Sequence, residues 1–215
     1  MRFQSRAHAA ELLVQRLKTS YRNKNPLVLG VPRGAVPMAR IIATALGGEL
    51  DVVLVHKLSH PEQAELAVGA IDEEGNAFVS DWAADLDPAY LAAEKKRQLS
   101  LLLERRAGYT PSRAPIDPTG RIVIVVDDGI ATGSTMTAAL RAIRARKPKK
   151  LVGAVAVASP EAARAMRREC DAMVCLYVPA EFYAVGQFFD DFRQVTDEDV
   201  ITILKQEVEK VSAAG

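Results

Sequence analysis

The sequence predicts an α/β protein built on a doubly wound, mainly parallel sheet, and three observations carry that expectation. Apolar, largely β-branched runs without alternation recur at 27–31, 121–126, 151–158 and 173–178, as strands covered on both faces require. Between them lie stretches with apolar residues at helical spacing. Twice, a strand passes through a tight loop of small residues straight into a helix. Strands alternating with helices favour crossover connections and a parallel sheet.

The elements follow in chain order. Residues 5–21 read as an amphipathic helix, with Ala10, Leu13, Val14, Leu17 and Tyr21 on one face and His8 on the solvated side. Asn23 to Pro26 is a turn. Leu27–Val31 is a buried strand that runs into Pro32-Arg33-Gly34-Ala35-Val36-Pro37 and then a helix from Met38 to Leu46. In that loop Gly34 lets the backbone approach a ligand, and Arg33 offers a fork of donors for phosphate oxygens. Asp51–His56 reads as the next strand, with Lys57 at its carboxyl end, where open α/β sheets bind ligands. His56 suits either core or site.

Ala67–Ile71 is a further strand. A helix from Pro88 to about Ala107 carries Leu91, Leu99, Leu102 and Leu103 on its apolar face and Lys95, Lys96, Arg97, Arg105 and Arg106 on its basic side. It reads as an insertion, spanning about 81–115, whose charges solvate it rather than bind nucleic acid. Pro111, Pro115 and Pro118 mark the linker back to the core. Beyond the central motif, Leu151–Ala158 is a strand, Glu161–Glu169 a helix and Met173–Val178 a strand. Thr196 with Asp199 forms a capping box for a last helix whose Val200, Ile201, Leu204 and Val208 share a face.

Composition narrows the class. The chain has 215 residues, the size of one domain with additions, and 49% hydrophobic residues supply a sizeable core. A net charge of +1 gives no overall field to recruit nucleic acid or an anionic membrane. Cys170 and Cys175 are too few for a secreted disulfide scaffold and read as reduced thiols, Cys175 within an apolar run. Residues 1–10 carry two Arg and a His with no long apolar run behind them, unlike a signal peptide, and no stretch is long enough to span a bilayer. The expected location is the cytoplasm.

The central motif is Arg121-Ile122-Val123-Ile124-Val125-Val126-Asp127-Asp128-Gly129-Ile130-Ala131-Thr132-Gly133-Ser134-Thr135. An apolar strand ends in two carboxylates and a loop of small residues. A helix follows with Met136, Ala139, Leu140 and Ile143 on one face. That geometry presents backbone N–H groups and a helix N-terminus to a phosphate, and Thr132, Ser134 and Thr135 add hydroxyl donors. A phosphate alone would be repelled by Asp127 and Asp128. The pair therefore points to vicinal hydroxyls, a divalent cation, or both. A strand whose acids merely cap the next helix would account for one acid and not the loop. The spacing is neither that of a P-loop nor of a dinucleotide fold.

This stretch resembles the PRPP-binding motif of the type I phosphoribosyltransferases, and the likeness to the fold runs over about residues 27–192. The pattern is most similar to a bacterial group distinct from the named salvage enzymes. The resemblance implies a single phosphoribosyltransferase domain over 1–215, with the helical insertion and a small C-terminal hood from about 179. It implies transfer of a phosphoribosyl group from PRPP, with Mg2+, to an unidentified nucleobase-like acceptor, and a homodimer. Asp127, Asp128 and Lys57 are then the candidate catalytic residues. Arg33, Gly34, Asp127, Asp128 and the loop Gly129, Ile130, Ala131, Thr132, Gly133, Ser134 and Thr135 would hold PRPP, with Lys57 reaching the pyrophosphate.

The aromatic-rich segment 179–192 is similar to the base-binding stretch of hypoxanthine-guanine phosphoribosyltransferases. On that likeness Tyr183 stacks on the base, Ala184 and Val185 offer backbone groups to its edge, and Asp190 joins Asp127 and Asp128 at the metal. An aromatic mini-core involving Phe188 or Phe192 is the other reading of the segment, and both can hold together. Three departures stand out. Ala131 replaces the acid of the 6-oxopurine enzymes, Val157-Ala158-Ser159 lacks their base-reading lysine, and no Lys or Arg lies between Lys57 and Lys95. The expected closing loop, Ser59 to Glu65, offers only Ser59 and His60. A PRPP- or nucleotide-binding regulator that catalyses nothing is the alternative on the same fold.

Overall fold

The computed structural model describes the backbone of residues 1–63, 66–111 and 113–213, with side chains to residue 209. Ala64 and Glu65 of the expected closing loop, and Ser112 of the linker, lie outside the described residues.

Five strands form the main sheet, all parallel, in the order β2 (Glu49–Val52), β1 (Leu27–Gly30), β6 (Ile122–Ile130), β7 (Lys150–Ala158), β8 (Ala172–Tyr177). Helices cover both faces. On one side α1 (Arg6–Tyr21) and α2 (Val36–Leu46) bury Leu13, Leu17, Met38 and Ile42 against Ile124, Val126 and Val152. On the other, α4 (Ser134–Ala145) and α5 (Pro160–Glu169) bury Met136, Leu140, Ile143 and Met166 against Val123, Val125 and Val155. Alternate residues of β6 thus feed opposite cores, as the two-residue side-chain period dictates. The doubly wound expectation holds.

Two expectations change. The run 51–56 is not one strand. β2 ends at Val52, Val53 and Leu54 cross between layers, and β3 (Val55–Ser59) joins β4 (Ala67–Asp72) and β5 (Ala77–Val79) in a separate antiparallel sheet. Val53 and Leu54 are buried, so the apolar run continues across the break and hides it. In addition, β6 does not end before the acids. Asp127, Gly129 and Ile130 stay in register with Val155, Val157 and Ala158, because the nine-residue β7 supplies partners that far.

The second sheet and α3 (Pro88–Tyr109) are fastened to the main sheet by a buried ionic cluster. Asp51, 1% exposed, accepts from Arg106 at 2.9 Å, Arg113 at 3.0 Å and the Ile116 N–H at 2.9 Å. Arg106 also forks onto Glu73 at 2.5 Å and donates to the Val52 carbonyl at 3.0 Å. One carboxylate thereby ties β2, α3 and the 113–116 segment together. Because the pair is hydrogen-bonded throughout, its charges can be kept out of water.

The residues before α1 meet those that lead into the last helix. Phe3 bridges Phe189, with the Phe3 N–H on the Phe188 carbonyl at 2.8 Å and the Asp190 N–H on the Phe3 carbonyl at 2.9 Å. Phe189 contacts Phe3 and Phe192 with ring centroids 5.2 and 4.9 Å away, and Phe188 contacts Phe182 and Tyr177 at 5.3 and 5.8 Å. The aromatic mini-core is present. α6 (Asp197–Ala213) opens with the expected box: the Asp199 N–H donates to Thr196 Oγ1 at 3.1 Å, and the Thr196 N–H donates to Asp199 Oδ2 at 2.9 Å.

Candidate active site

Strand β6 delivers Asp127 and Asp128 at its carboxyl end. Successive residues of a strand face opposite ways, and the two acids have different surroundings. Asp127 lines a cavity of about 160 Å³ with Gly129, Ile130, Ala131, Thr132, Gly133, Ser134, Thr135, Met136 and Val185. Every residue of the expected phosphate loop therefore shares one concavity with the first acid. Gly133, at φ 79°, turns the chain into α4 in the left-handed region, where a side chain would be strained. No side chain caps α4; the Ser134 N–H lies only within 3.5 Å of Thr132 Oγ1. The first N–H groups of that helix thus stay available to an anion. The loop is held from below by Ser159, whose hydroxyl donates to the Ala131 carbonyl at 2.7 Å and accepts from the Ala162 N–H at 3.1 Å.

Asp128 faces α1 and the loop after β1. Arg6 Nε donates to its Oδ2 at 2.7 Å, with the two side chains only 14% and 13% exposed. The Arg6 guanidinium also lies 3.8 Å over the Phe192 ring and donates to the Arg193 carbonyl at 2.6 Å. Gly34 rests against the same carboxylate. A Cβ built there would stand 2.2 Å from Asp128 Oδ2 and 3.1 Å from Arg6 Nη2, so only glycine lets the 32–35 loop lie this close. The Pro32–Arg33 peptide is cis.

Both acids hold their protons more tightly than usual. Burial raises Asp127 well above its ordinary value, and the neighbouring Asp128 adds to it. Burial also raises Asp128, while Arg6 pulls it back. Together with the Asp128 N–H on Asp127 Oδ1 at 2.8 Å, this makes a pair of neighbouring acids with Arg6 as a built-in counter-charge.

The other expected residues are less gathered. Arg33 does not point at the cavity; its Nη1 lies 3.2 Å from Asp197 Oδ2 at the start of α6. Lys57 is exposed and paired with Ala70 in the middle of β3, not at the end of a main-sheet strand. Tyr183 is 82% exposed. Its N–H and that of Ala184 donate to Gln187 Oε1 at 3.2 and 3.1 Å. Val185 reaches the cavity, lying against Gly129 in the space a Cβ there would fill. Asp190 pairs with Arg2 at 2.7 Å, and among the described residues no three acids, histidines or cysteines are grouped as a metal cage. His56 is a network member, within 2.9 Å of Gln98 Oε1 and 3.4 Å of Arg105.

Sequence reasoning missed Arg6 and Asp197. Arg6 is the first residue of α1, where the helix dipole disfavours a cation, and that misplacement is the one local hint of a tertiary partner. Asp197 sits where an acid suits the dipole and gives no such hint.

Among the described residues no helix is long and apolar enough to cross a membrane. The chain is similar to TT1426 from Thermus thermophilus, whose crystal structure superposes with a TM-score of 0.87 at 43% identity over 96% of this chain and 99% of that one. It is also 39% identical over 216 residues to two Mycobacterium tuberculosis proteins, "Putative phosphoribosyl transferase Rv0571c" of strain H37Rv and "Putative phosphoribosyl transferase MT0597" of strain CDC 1551. The match covers 99% of this chain and 48% of theirs, so the chain spans about half the length of those relatives. The family described as the phosphoribosyl transferase domain matches residues 3–190, a span that contains the acid pair, its loop, Gly34 and Arg6, and the chain belongs to that family.

Proposed function

We propose that the protein transfers a phosphoribosyl group from PRPP, with Mg2+, to a nucleobase-like acceptor and releases pyrophosphate. The observation that carries this reading is the shared concavity of Asp127 and the 129–135 loop beneath the uncapped start of α4, with Asp128 next in the strand and Gly34 packed against its carboxylate. An anion cradle beside two carboxylates suits a phosphorylated sugar with free hydroxyls better than a bare phosphate or a neutral ligand.

The division of labour follows from the two faces of β6. The 131–135 loop and the first turn of α4 bind the 5-phosphate. Asp127 and Asp128 accept the ribose hydroxyls, Asp128 through the oxygen that Arg6 leaves free. The bond from the anomeric carbon to pyrophosphate breaks, and a bond to a ring nitrogen of the acceptor forms. Charge develops on the sugar as in glycosyl transfer. The protein acts by positioning and by stabilising charge, with no covalent intermediate on a side chain.

The acid pair fits a magnesium ion. Mg2+ uses one or two carboxylates, keeps several waters and takes its other ligands from substrate oxygens, so the lack of a three-acid cage among the described residues is no obstacle. Asp127 and Asp128 would hold it, and when bound it neutralises charge on the leaving pyrophosphate. The two carboxylates bring two negative charges to an anion site, and Arg6 offsets one of them. Tyr183, Ala184 and Val185 form the acceptor side, with Val185 as the contact to the cavity.

The same reading takes 1–215 as one phosphoribosyltransferase unit with an 81–115 insertion and a hood from 179, a homodimer, in the cytoplasm. The test is a pair of variants. Asp128→Asn and Thr132→Val should each lower PRPP affinity about tenfold or more while circular dichroism and the melting temperature show a folded protein. Unchanged PRPP affinity in folded variants would remove the assignment.

A further inference from the structure

Arg33 stands in the loop whose backbone meets Asp128, yet its side chain is engaged elsewhere. Its Nη1 lies 3.2 Å from Asp197 Oδ2, and the Tyr109 hydroxyl donates to Asp197 Oδ1. Asp197 opens α6, and Tyr109 closes α3. Two helices outside the main sheet therefore converge on the single cation of the 32–35 loop. Burial and Asp197 push the Tyr109 phenol well up, so it stays a donor at any working pH, and its hydrogen bond to Asp197 keeps that carboxyl below its usual range. The Asp197 carboxylate is thus ionised and fixed before any ligand arrives.

The contact is a holding position rather than a packed one. The side chains of Arg33 and Asp197 are 40% and 42% exposed, and Asp197 borders a cavity of about 370 Å³ that Tyr109, Arg105, His56 and Ile201 also line. An exposed pair of this kind is weak, and a doubly charged anion can draw the guanidinium away from it. By contrast, Arg6 is enclosed by Asp128, Phe192 and the Arg193 carbonyl and has no such freedom.

We propose that Asp197, steadied by Tyr109, is a positioning residue that parks Arg33 away from the anion site, and that the pyrophosphate group displaces it. Arg33 then exchanges one anionic partner for another, and α6 loses its tie to the loop in the same step. This rests on the phosphoribosyltransferase reading, because it takes pyrophosphate as the competitor. It deepens that reading by making anion affinity a competition within the chain.

The experiment is calorimetric titration of inorganic pyrophosphate, in magnesium buffer, into the full chain and three variants: Asp197→Asn, Arg33→Gln and the double variant. Asp197→Asn should bind pyrophosphate roughly two- to fivefold more tightly, the scale of an exposed pair removed from competition. Arg33→Gln should bind more weakly. In the Arg33→Gln background Asp197→Asn should give no gain. A purely structural role for Asp197, or simple relief of repulsion between two anions, would give the same change with or without Arg33, and that result overturns the proposal. Pyrophosphate binding that is unchanged in Asp197→Asn overturns it as well and leaves the functional reading standing. No pyrophosphate binding to the unaltered protein or to Asp197→Asn overturns both.

Discussion

Arg6 and Asp128 are 122 residues apart in the chain and 2.7 Å apart in the fold. The pair joins the first turn of α1 to the carboxyl end of β6, and Phe192 and the Arg193 carbonyl clamp the arginine from the segment before α6. The first helix and the segment just before α6 are thereby fastened to the acid pair on which the proposed chemistry depends.

Arg6→Ala should be strongly destabilising, by about 2–3 kcal/mol, because it strands a largely buried carboxyl beside a second one. Arg6→Lys should lose less, since an ammonium restores the charge but not the stacking on Phe192. In an Asp128→Asn background the Arg6→Ala cost should fall by at least about half. Urea unfolding of the four proteins measures this, and equal costs in both backgrounds would assign the effect to α1 packing instead.

Asp127→Asn should stabilise the protein while weakening PRPP binding. The folded chain holds the Asp127 proton more tightly than the unfolded chain, whose value is the ordinary 3.8. Stability from this group is therefore present at low pH and lost as pH rises above that value toward the raised folded one. At neutral pH the amide avoids this loss and keeps the oxygen that accepts the Asp128 N–H. A gain on the order of 1 kcal/mol corresponds to about 2–4 °C for a chain of this size. The gap between variant and wild type should widen as pH rises from about 4 toward the raised folded value. A gap that narrows over that range contradicts the assigned direction.

Gly34→Ala places a methyl 2.2 Å from Asp128 Oδ2. The loop or the carboxylate must move, at a cost of about 1–3 kcal/mol. PRPP affinity should fall more than stability does, because the displaced groups are the ones that meet the ligand. Parallel thermal melts and PRPP titrations separate the two effects.

Asp51→Asn should act in the opposite pattern. It leaves Arg106 and Arg113 sharing a neutral acceptor in a site where Asp51 is 1% exposed, and should cost roughly 3 kcal/mol or more. The loss concerns the anchoring of α3 and the second sheet. PRPP affinity of the folded fraction should be near normal, and a selective loss of affinity with unchanged stability would place Asp51 in the site.

Much of the main sheet was legible because burial on both faces leaves a compositional trace. Leu27–Gly30, Ile122–Val126 and Leu151–Ala158 are uninterrupted apolar runs, and the α4 face of Met136, Ala139, Leu140 and Ile143 is buried as its spacing implies. The break between β2 and β3 left no such trace, because Val52, Val53, Leu54 and Val55 continue the run across it. Of the second sheet only β4 was read, as Ala67–Ile71; β5, three residues long, escaped for lack of length. In the site, the acids and their loop were readable because they are contiguous. Arg6 and Asp197 were not, since each draws its role from a partner more than a hundred residues away. The role expected of Lys57 came from reading 51–56 as one main-sheet strand ending at Lys57, together with a family pattern, and that of Asp190 from the family pattern alone; in the fold Lys57 lies mid-strand in the second sheet and Asp190 is paired with Arg2.

The most direct measurement is calorimetric titration of PRPP into the purified protein, with and without magnesium. Magnesium-dependent binding that is lost in Asp128→Asn is the predicted result. Absence of PRPP binding in either condition would contradict the central claim that the acid pair and the 129–135 loop form a phosphoribosyl site.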